Sequence, residues 1–230
     1  MRLPRGPLQT PILSRIPLSR WRLAPGVAIL FLAAGSLLVA RAACALDWEK
    51  VSEKDGTLVE RRAVPGSRIH AIRVTAHSPL APAAVFETLW KQQEHPEFVP
   101  YLKHLRILSD TGDEHIAYEQ LDLPLVRDRD YTVRLRKQVD PAANRYEILI
   151  ESANDAGPPP DRSHIRVTNI RGSWTVEPGS DGKGSVVRYE LHSEPGGQIP
   201  AWLADRTQGT AAANVVHAML KRALEKNRGN

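Results

Sequence analysis

The feature that most limits what this chain can fold into is a repeated alternation of apolar and polar residues with period two. Tyr131, Val133, Leu135 and Val139 alternate with Thr132, Arg134, Arg136 and Gln138. Tyr146, Ile148 and Ile150 alternate with Arg145, Glu147 and Glu151. Ile170, Trp174 and Val176 share one face, and Val187, Tyr189 and Leu191 share another. Successive strand residues point to opposite faces, so each row predicts a strand with one buried and one solvated side, as antiparallel sheets have. Weaker strands are expected at 57–64, 69–76, 104–109 and 115–121. Turn residues separate them, notably Pro65–Gly66, Asp110–Asp113 and Asp140–Pro141.

Two segments carry helical spacing instead. Pro82–Gln93 places Val85, Leu89 and Trp90 on one side and is expected to end near His95, which precedes Pro96. The last element, about Pro200 to Lys226, repeats apolar residues at three- and four-residue steps: Trp202, Leu203, Val215, Val216, Met219, Leu220. Lys221, Arg222 and Lys226 stand in its final turns, where cations suit the helix dipole. The stretch Asn154–Asp161 holds three prolines and reads as an ordered spacer or a rim. The fold class is therefore α+β, a curved antiparallel sheet wrapped around a long C-terminal helix, with a short helical segment after the first strands. A sheet curled around a helix leaves space between them, to be filled by side chains or by a ligand.

Net charge would suggest a nucleic-acid partner, since 31 basic residues face 26 acidic ones. Its distribution excludes that. Residues 1–45 contain six arginines and no acid, and removing these six leaves 25 basic against 26 acidic residues, a net charge of −1 for 46–230. The folded part has no general attraction for phosphates.

The first 45 residues read as an address. A basic, acid-free stretch is followed by a 14-residue apolar run, Val27–Ala40, and then by Ala43, Cys44 and Ala45. These are the three parts of a secretory signal, and the run is short of the roughly 20 residues a membrane span needs. The expected division is a signal peptide at 1–45 and a domain at 46–230, periplasmic or secreted. An uncleaved anchor holding the domain outside the cytoplasm is the alternative. Cys44, the only cysteine, lies at the cleavage site, so the mature chain has no disulfide, thiolate metal site or cysteine nucleophile.

Three blocks in order resemble the StAR-related lipid-transfer (START) domains of the helix-grip superfamily. The first is Leu123-Pro124-Leu125 leading to Arg129, Asp130 and Tyr131. The second is the strand with Gly172 and Trp174, followed by the Val187–Tyr189 strand. The third is Gly196–Gly197 with Pro200 and Trp202, entering the last helix. The resemblance spans about 46–225. It implies a lipid-sized hydrophobic cavity roofed by the last helix, with exchange at transient contact with a membrane. Leu135 stands where sterol-handling members carry a cavity arginine, so that anchor is not expected here.

On this reading the cavity is lined by Tyr118, Tyr131, Val133, Leu135, Trp174, Tyr189, Trp202, Leu203, Val216, Met219 and Leu220. Arg129 is a candidate polar anchor, although an ion pair with Asp130 is the commoner use of adjacent opposite charges. His95 and Glu97 read as a surface loop. The eight histidines include no HExxH and no i,i+4 pair, so neither a metal nor a cofactor is expected. No G-x-S-x-G, Walker A or G-x-G-x-x-G motif is present. The expected protein is a monomeric, non-enzymatic lipid carrier without a nucleic-acid partner. The alternatives are a cyclase, aromatase or hydrolase acting on an apolar substrate, with Tyr118, Tyr131 and Arg129 as candidate groups, and an interaction module whose cavity is filled by its own side chains.

Overall fold

The computed structural model describes residues 47–123, 126–197, 199 and 201–229. The side chains of 201, 202 and 204–206 lie outside that description, as do the expectations for residues 1–45 and for the Trp202 ring.

Ten strands form one sheet: β1 Glu49–Lys54, β2 Thr57–Arg62, β3 Ala71–Ser78, β4 Leu102–Asp110, β5 Glu114–Leu121, β6 Arg129–Asp140, β7 Arg145–Ser152, β8 Ile165–Arg166, β9 Asn169–Pro178 and β10 Ser185–Glu194. Their spatial order is β1-β2-β3-β10-β9-β7-β6-β5-β4, with β8 parallel to the start of β6 and the remaining pairs antiparallel. Helix α1 spans Pro82–Trp90 and helix α2 spans Ala201–Gly229. None of the described helices is long and apolar enough to cross a membrane.

Local chemistry accounts for the turns and the curl. Asp55 and Gly56 join β1 to β2 with both φ angles positive, 49° and 74°, the tight hairpin turn that an Asp-Gly pair favours. Register shifts in β4, between Leu102 and His104 and between Ile107 and Ser109, bend that edge and increase its twist. The concave face collects Val133, Leu135, Ile148, Trp174 and Val176 on neighbouring strands. Trp174 and Tyr189 are cross-strand partners whose rings stack at 4.1 Å between centroids.

Helix α1 opens with Pro82 at its first turn, where a missing N–H costs nothing. It plugs one end of the curl: Phe86 stacks on Tyr146 at 4.9 Å and Trp90 on His115 at 4.0 Å. Its end departs from expectation. The α-helix stops at Trp90, and a 3₁₀ turn over Gln92–Glu97 carries the chain on through Pro96. That turn folds His95 back under α1, where its Nε2–H donates to the Thr88 carbonyl at 3.1 Å. His95 is thus buried, not part of a surface loop, and burial pushes its imidazole down to about 4, leaving it neutral. Glu97 turns away to Arg222 of α2, at 2.9 Å.

The proline-rich stretch is a strap fastened to β6. The Thr132 amide donates to the Asn154 side-chain oxygen and the Asn154 amide nitrogen donates to the Val167 carbonyl, both at 2.8 Å. Gly157 touches the strand so closely that a Cβ there would stand 1.8 Å from the Thr132 hydroxyl.

Candidate functional site: a roofed cavity with a polar wall

A cavity of about 300 Å³ lies between the concave face of the sheet and α2. Its roof is one stripe of the helix, Gln208, Ala211, Ala212, Val215 and Met219, spaced at three- and four-residue steps. The two alanines keep the roof thin over the middle strands, while α2 lies closest to β3 and α1. The floor is built by alternate residues of β6, namely Arg129, Tyr131, Val133 and Leu135, with Ile148, Trp174 and Tyr189 beside them.

The structure thus places seven of the sequence-chosen residues in the wall: Arg129, Tyr131, Val133, Leu135, Trp174, Tyr189 and Met219. Four others stand elsewhere. Tyr118 is out of phase with its inward neighbours on β5; its ring lies on the other face and its hydroxyl donates to Asp130 at 3.0 Å. Leu203, in the first turn of α2, is solvent-exposed. Val216 and Leu220 sit about 100° further round the helix than Val215 and Met219, and belong to the packed core.

The expected Arg129–Asp130 pair does not form, for a geometric reason. Adjacent strand residues point to opposite faces, so Arg129 enters the cavity while Asp130 faces away. Asp130 is instead gripped by Arg166 of β8, Nε to Oδ1 at 2.9 Å and Nη2 to Oδ2 at 2.8 Å. Burial works to raise its carboxyl pKa, but the Arg166 and Tyr118 hydrogen bonds outweigh it and hold the group below its ordinary value. Asp130 is 1% exposed, so Arg166→Met would strand a buried carboxylate. The expected loss is about 3 kcal/mol of stability in urea unfolding, largely recovered by the double variant Arg166→Met with Asp130→Asn. Equal losses in the single and double variants would mean that the pair contributes nothing as a pair.

The polar element that sequence reasoning missed is Glu119. It is the register partner of Tyr131 across the β5–β6 hairpin, and the Tyr131 hydroxyl donates to its Oε2 at 2.6 Å. By surface area Glu119 is half-buried, because it faces the cavity; no cation pairs with it among the described residues. Desolvation dominates, outweighing the Tyr131 hydrogen bond, and pushes its carboxyl up to about 7. Burial likewise raises Tyr131, helped by Glu119, and Tyr189, so both phenols stay protonated. The signal for Glu119 was present: it shares the inward phase of Ala117 and Leu121.

Arg129 closes the same wall two residues from Tyr131, about 7 Å along the strand. It is 2% exposed, and its one hydrogen bond to a described residue runs from Nη1 to the Arg127 carbonyl. The site therefore offers an apolar chamber, a hydrogen-bonded acid–phenol pair in mid-wall and a guanidinium at one end. That suits an amphiphile better than a polar substrate. Among the described residues no three His, Cys, Asp or Glu side chains are grouped to hold a metal ion.

Comparison with known proteins agrees with this geometry. An uncharacterized protein of Pseudomonas aeruginosa is 29% identical over 197 residues, covering 85% of this chain and 95% of its own length. The phosphatidylcholine transfer protein of Mus musculus is 26% identical over 180 residues, 76% of this chain and 83% of its own. Among solved structures, a STAR-related lipid transfer protein from Xanthomonas axonopodis superposes with a TM-score of 0.70 at 23% identity, over 76% of this chain and 98% of that one. Human StAR-related lipid transfer protein 5 superposes with a TM-score of 0.71 at 14% identity, over 86% and 94%. These two likenesses establish the helix-grip α+β fold. The START domain profile matches residues 33–228, and with most of its length so covered the chain belongs to the START domain family.

Proposed function

We propose that this protein is an exported lipid carrier. Residues 1–45 direct it out of the cytoplasm, and the domain from 46 onward holds a hydrophobic ligand between its sheet and α2 and hands it over at membrane contact, as a monomer without catalysis. The observation that carries the reading is the roofed cavity of about 300 Å³ with a mainly apolar wall. Burial of a tail there contributes about 0.8 kcal/mol per methylene, which needs no catalytic group. The phosphatidylcholine transfer relatives support the same reading.

The volume sits at the low end for small-molecule sites. A single-tailed ligand fits as the cavity stands, whereas a diacyl lipid requires the roof to lift. The second half of α2 is pinned to the 3₁₀ turn by Arg222 to Glu97 at 2.9 Å and Lys226 to Glu94 at 2.5 Å. Leu203 is exposed near the other end, and the opening we propose is a lift of those first turns.

A second reading, an enzyme acting on an apolar substrate, draws on the Glu119–Tyr131 pair, a proton donor and acceptor side by side in the wall. One experiment separates the two. Native mass spectrometry of the protein purified from the exported fraction is expected to show a mature chain beginning near Leu46 with one bound lipid per protein. Added lipid should be recovered chemically unchanged; a new product mass would establish the enzyme. Finding the chain only in the cytoplasm and refusing mixed lipids would overturn the carrier.

A further inference from the structure

Resting on the cavity as a lipid site, the geometry points to Arg129 as the residue that receives an anionic head group, the carboxylate or phosphate of a single-tailed amphiphile whose tail runs along β6. The guanidinium lies in the cavity wall and is 2% exposed. Its Nη1 is taken by the Arg127 carbonyl. Its Nε is buried without a partner, and Nη2 makes no hydrogen bond to a described residue. Nε and Nη2 form one edge of the guanidinium, the edge that takes two oxygens of a carboxylate or phosphate side by side.

Among the described residues no carboxylate bonds to that edge; Asp128, the preceding residue, only lends the guanidinium favourable charge without a hydrogen bond. Asp130, its sequence neighbour, faces away and is held by Arg166. Glu119 is bonded to Tyr131 further along the wall. An arginine does not shed its proton, so burial leaves a cation whose open Nε–Nη2 edge a ligand's anion would complete. Gly197 packs beside this edge: a Cβ there would stand 3.8 Å from Nη2 and 2.7 Å from the Ile165 side chain. From Arg129 the inward positions of β6 continue as Tyr131, Val133 and Leu135, six residues or about 20 Å of increasingly apolar wall. A cation at one end followed by an apolar track is the complement of an acid head and its chain.

The test measures binding of palmitate, a lysophosphatidic acid and hexadecanol to the purified domain at constant salt, with inorganic phosphate as a headgroup without a tail. Wild type is expected to bind at least one of the two acids ten-fold or more tighter than the alcohol. Arg129→Gln should lose that preference and keep its affinity for the alcohol, which also certifies that the variant is folded; Arg129→Lys should keep part of it. Equal binding of acids and alcohol by wild type, or an acid preference that survives Arg129→Gln, would overturn the assignment while leaving the lipid site standing. Refusal of every amphiphile by folded wild type would overturn both. Phosphate alone protecting wild type but not Arg129→Gln against unfolding, with no preference among tails, would reassign Arg129 to a free anion and refute the head-group role.

Discussion

Met219→Trp is expected to reduce the lipid carried by the purified protein at least ten-fold without unfolding it. Met219 is 4% exposed and stands in the roof stripe with Ala212 and Val215, above a cavity of only about 300 Å³. An indole at that position fills space a ligand would use, and because the space already exists the overpacking cost should stay under about 1 kcal/mol, below the usual range for a filled core. Leu220→Trp is the contrast. Leu220 is buried in the core beside the roof, outside the cavity wall, so the added ring has nowhere to go and should cost about 1–3 kcal/mol while leaving lipid loading of the folded fraction unchanged. The check is bound lipid per protein by mass spectrometry together with urea unfolding of both variants. Loading of Met219→Trp equal to wild type would place the lipid somewhere other than under α2.

Glu119→Gln is expected to stabilise the protein by an amount that grows from about pH 4.5 and is largest at neutral and alkaline pH. The carboxyl rises from its ordinary 4.5 to about 7 on folding. Between those values the folded state holds a proton that the unfolded chain has released, so stability falls as pH rises through that window and stays low above it. A shift of this size corresponds to about 3 kcal/mol, of which about 2 kcal/mol is expected after allowing for the opening of Glu119 to the cavity. His95 acts in the opposite sense. Its fall from 6.5 to about 4 means the unfolded chain binds the extra proton, so its contribution to stability grows as pH rises from about 4 to 6.5. The two slopes oppose each other between 4.5 and 6.5, and wild type should be nearly flat there. The variant, relieved of the acid, should gain stability across that range, with a gap to wild type near zero at pH 4.5 and complete by pH 8. A gap of the same size at every pH would mean that Glu119 is not the titrating group.

Much of the fold was readable because the strands announce themselves. Where one face is buried and the other wet, as in β6, β7, β9 and β10, alternation fixes both the strand and its inward residues. It failed for β1, whose six residues Glu49–Lys54 are all exposed, so no apolar row marks them. An edge strand guarded by charges looks like a loop. The two-residue β8 is too short to have a pattern at all, yet it supplies Arg166. In α2 the apolar stripe was visible, but it serves both cavity and core. Only tertiary placement tells Met219 from Leu220 or exposes Leu203. Glu119 was missed because an acid in an inward phase breaks the polar-out rule. His95 was missed because a 3₁₀ turn continues past the point where Pro96 should end a helix. Rule-breaking residues thus supply much of the cavity's polar lining, which is where local logic is expected to yield to function.

The order of strands across the sheet also sets the order of assembly. β3 bonds to β10, so residues 72–78 wait for 185–191 before the inner face of Ile72, Val74 and Ala76 is closed. A chain emerging from the ribosome makes its first hairpins early but cannot weld the two halves of the sheet until its C-terminal fifth has been synthesised. Such long-range closure is slow. If the export we propose runs through a channel that takes unfolded chains, a weld made last keeps this chain threadable for as long as the passage takes.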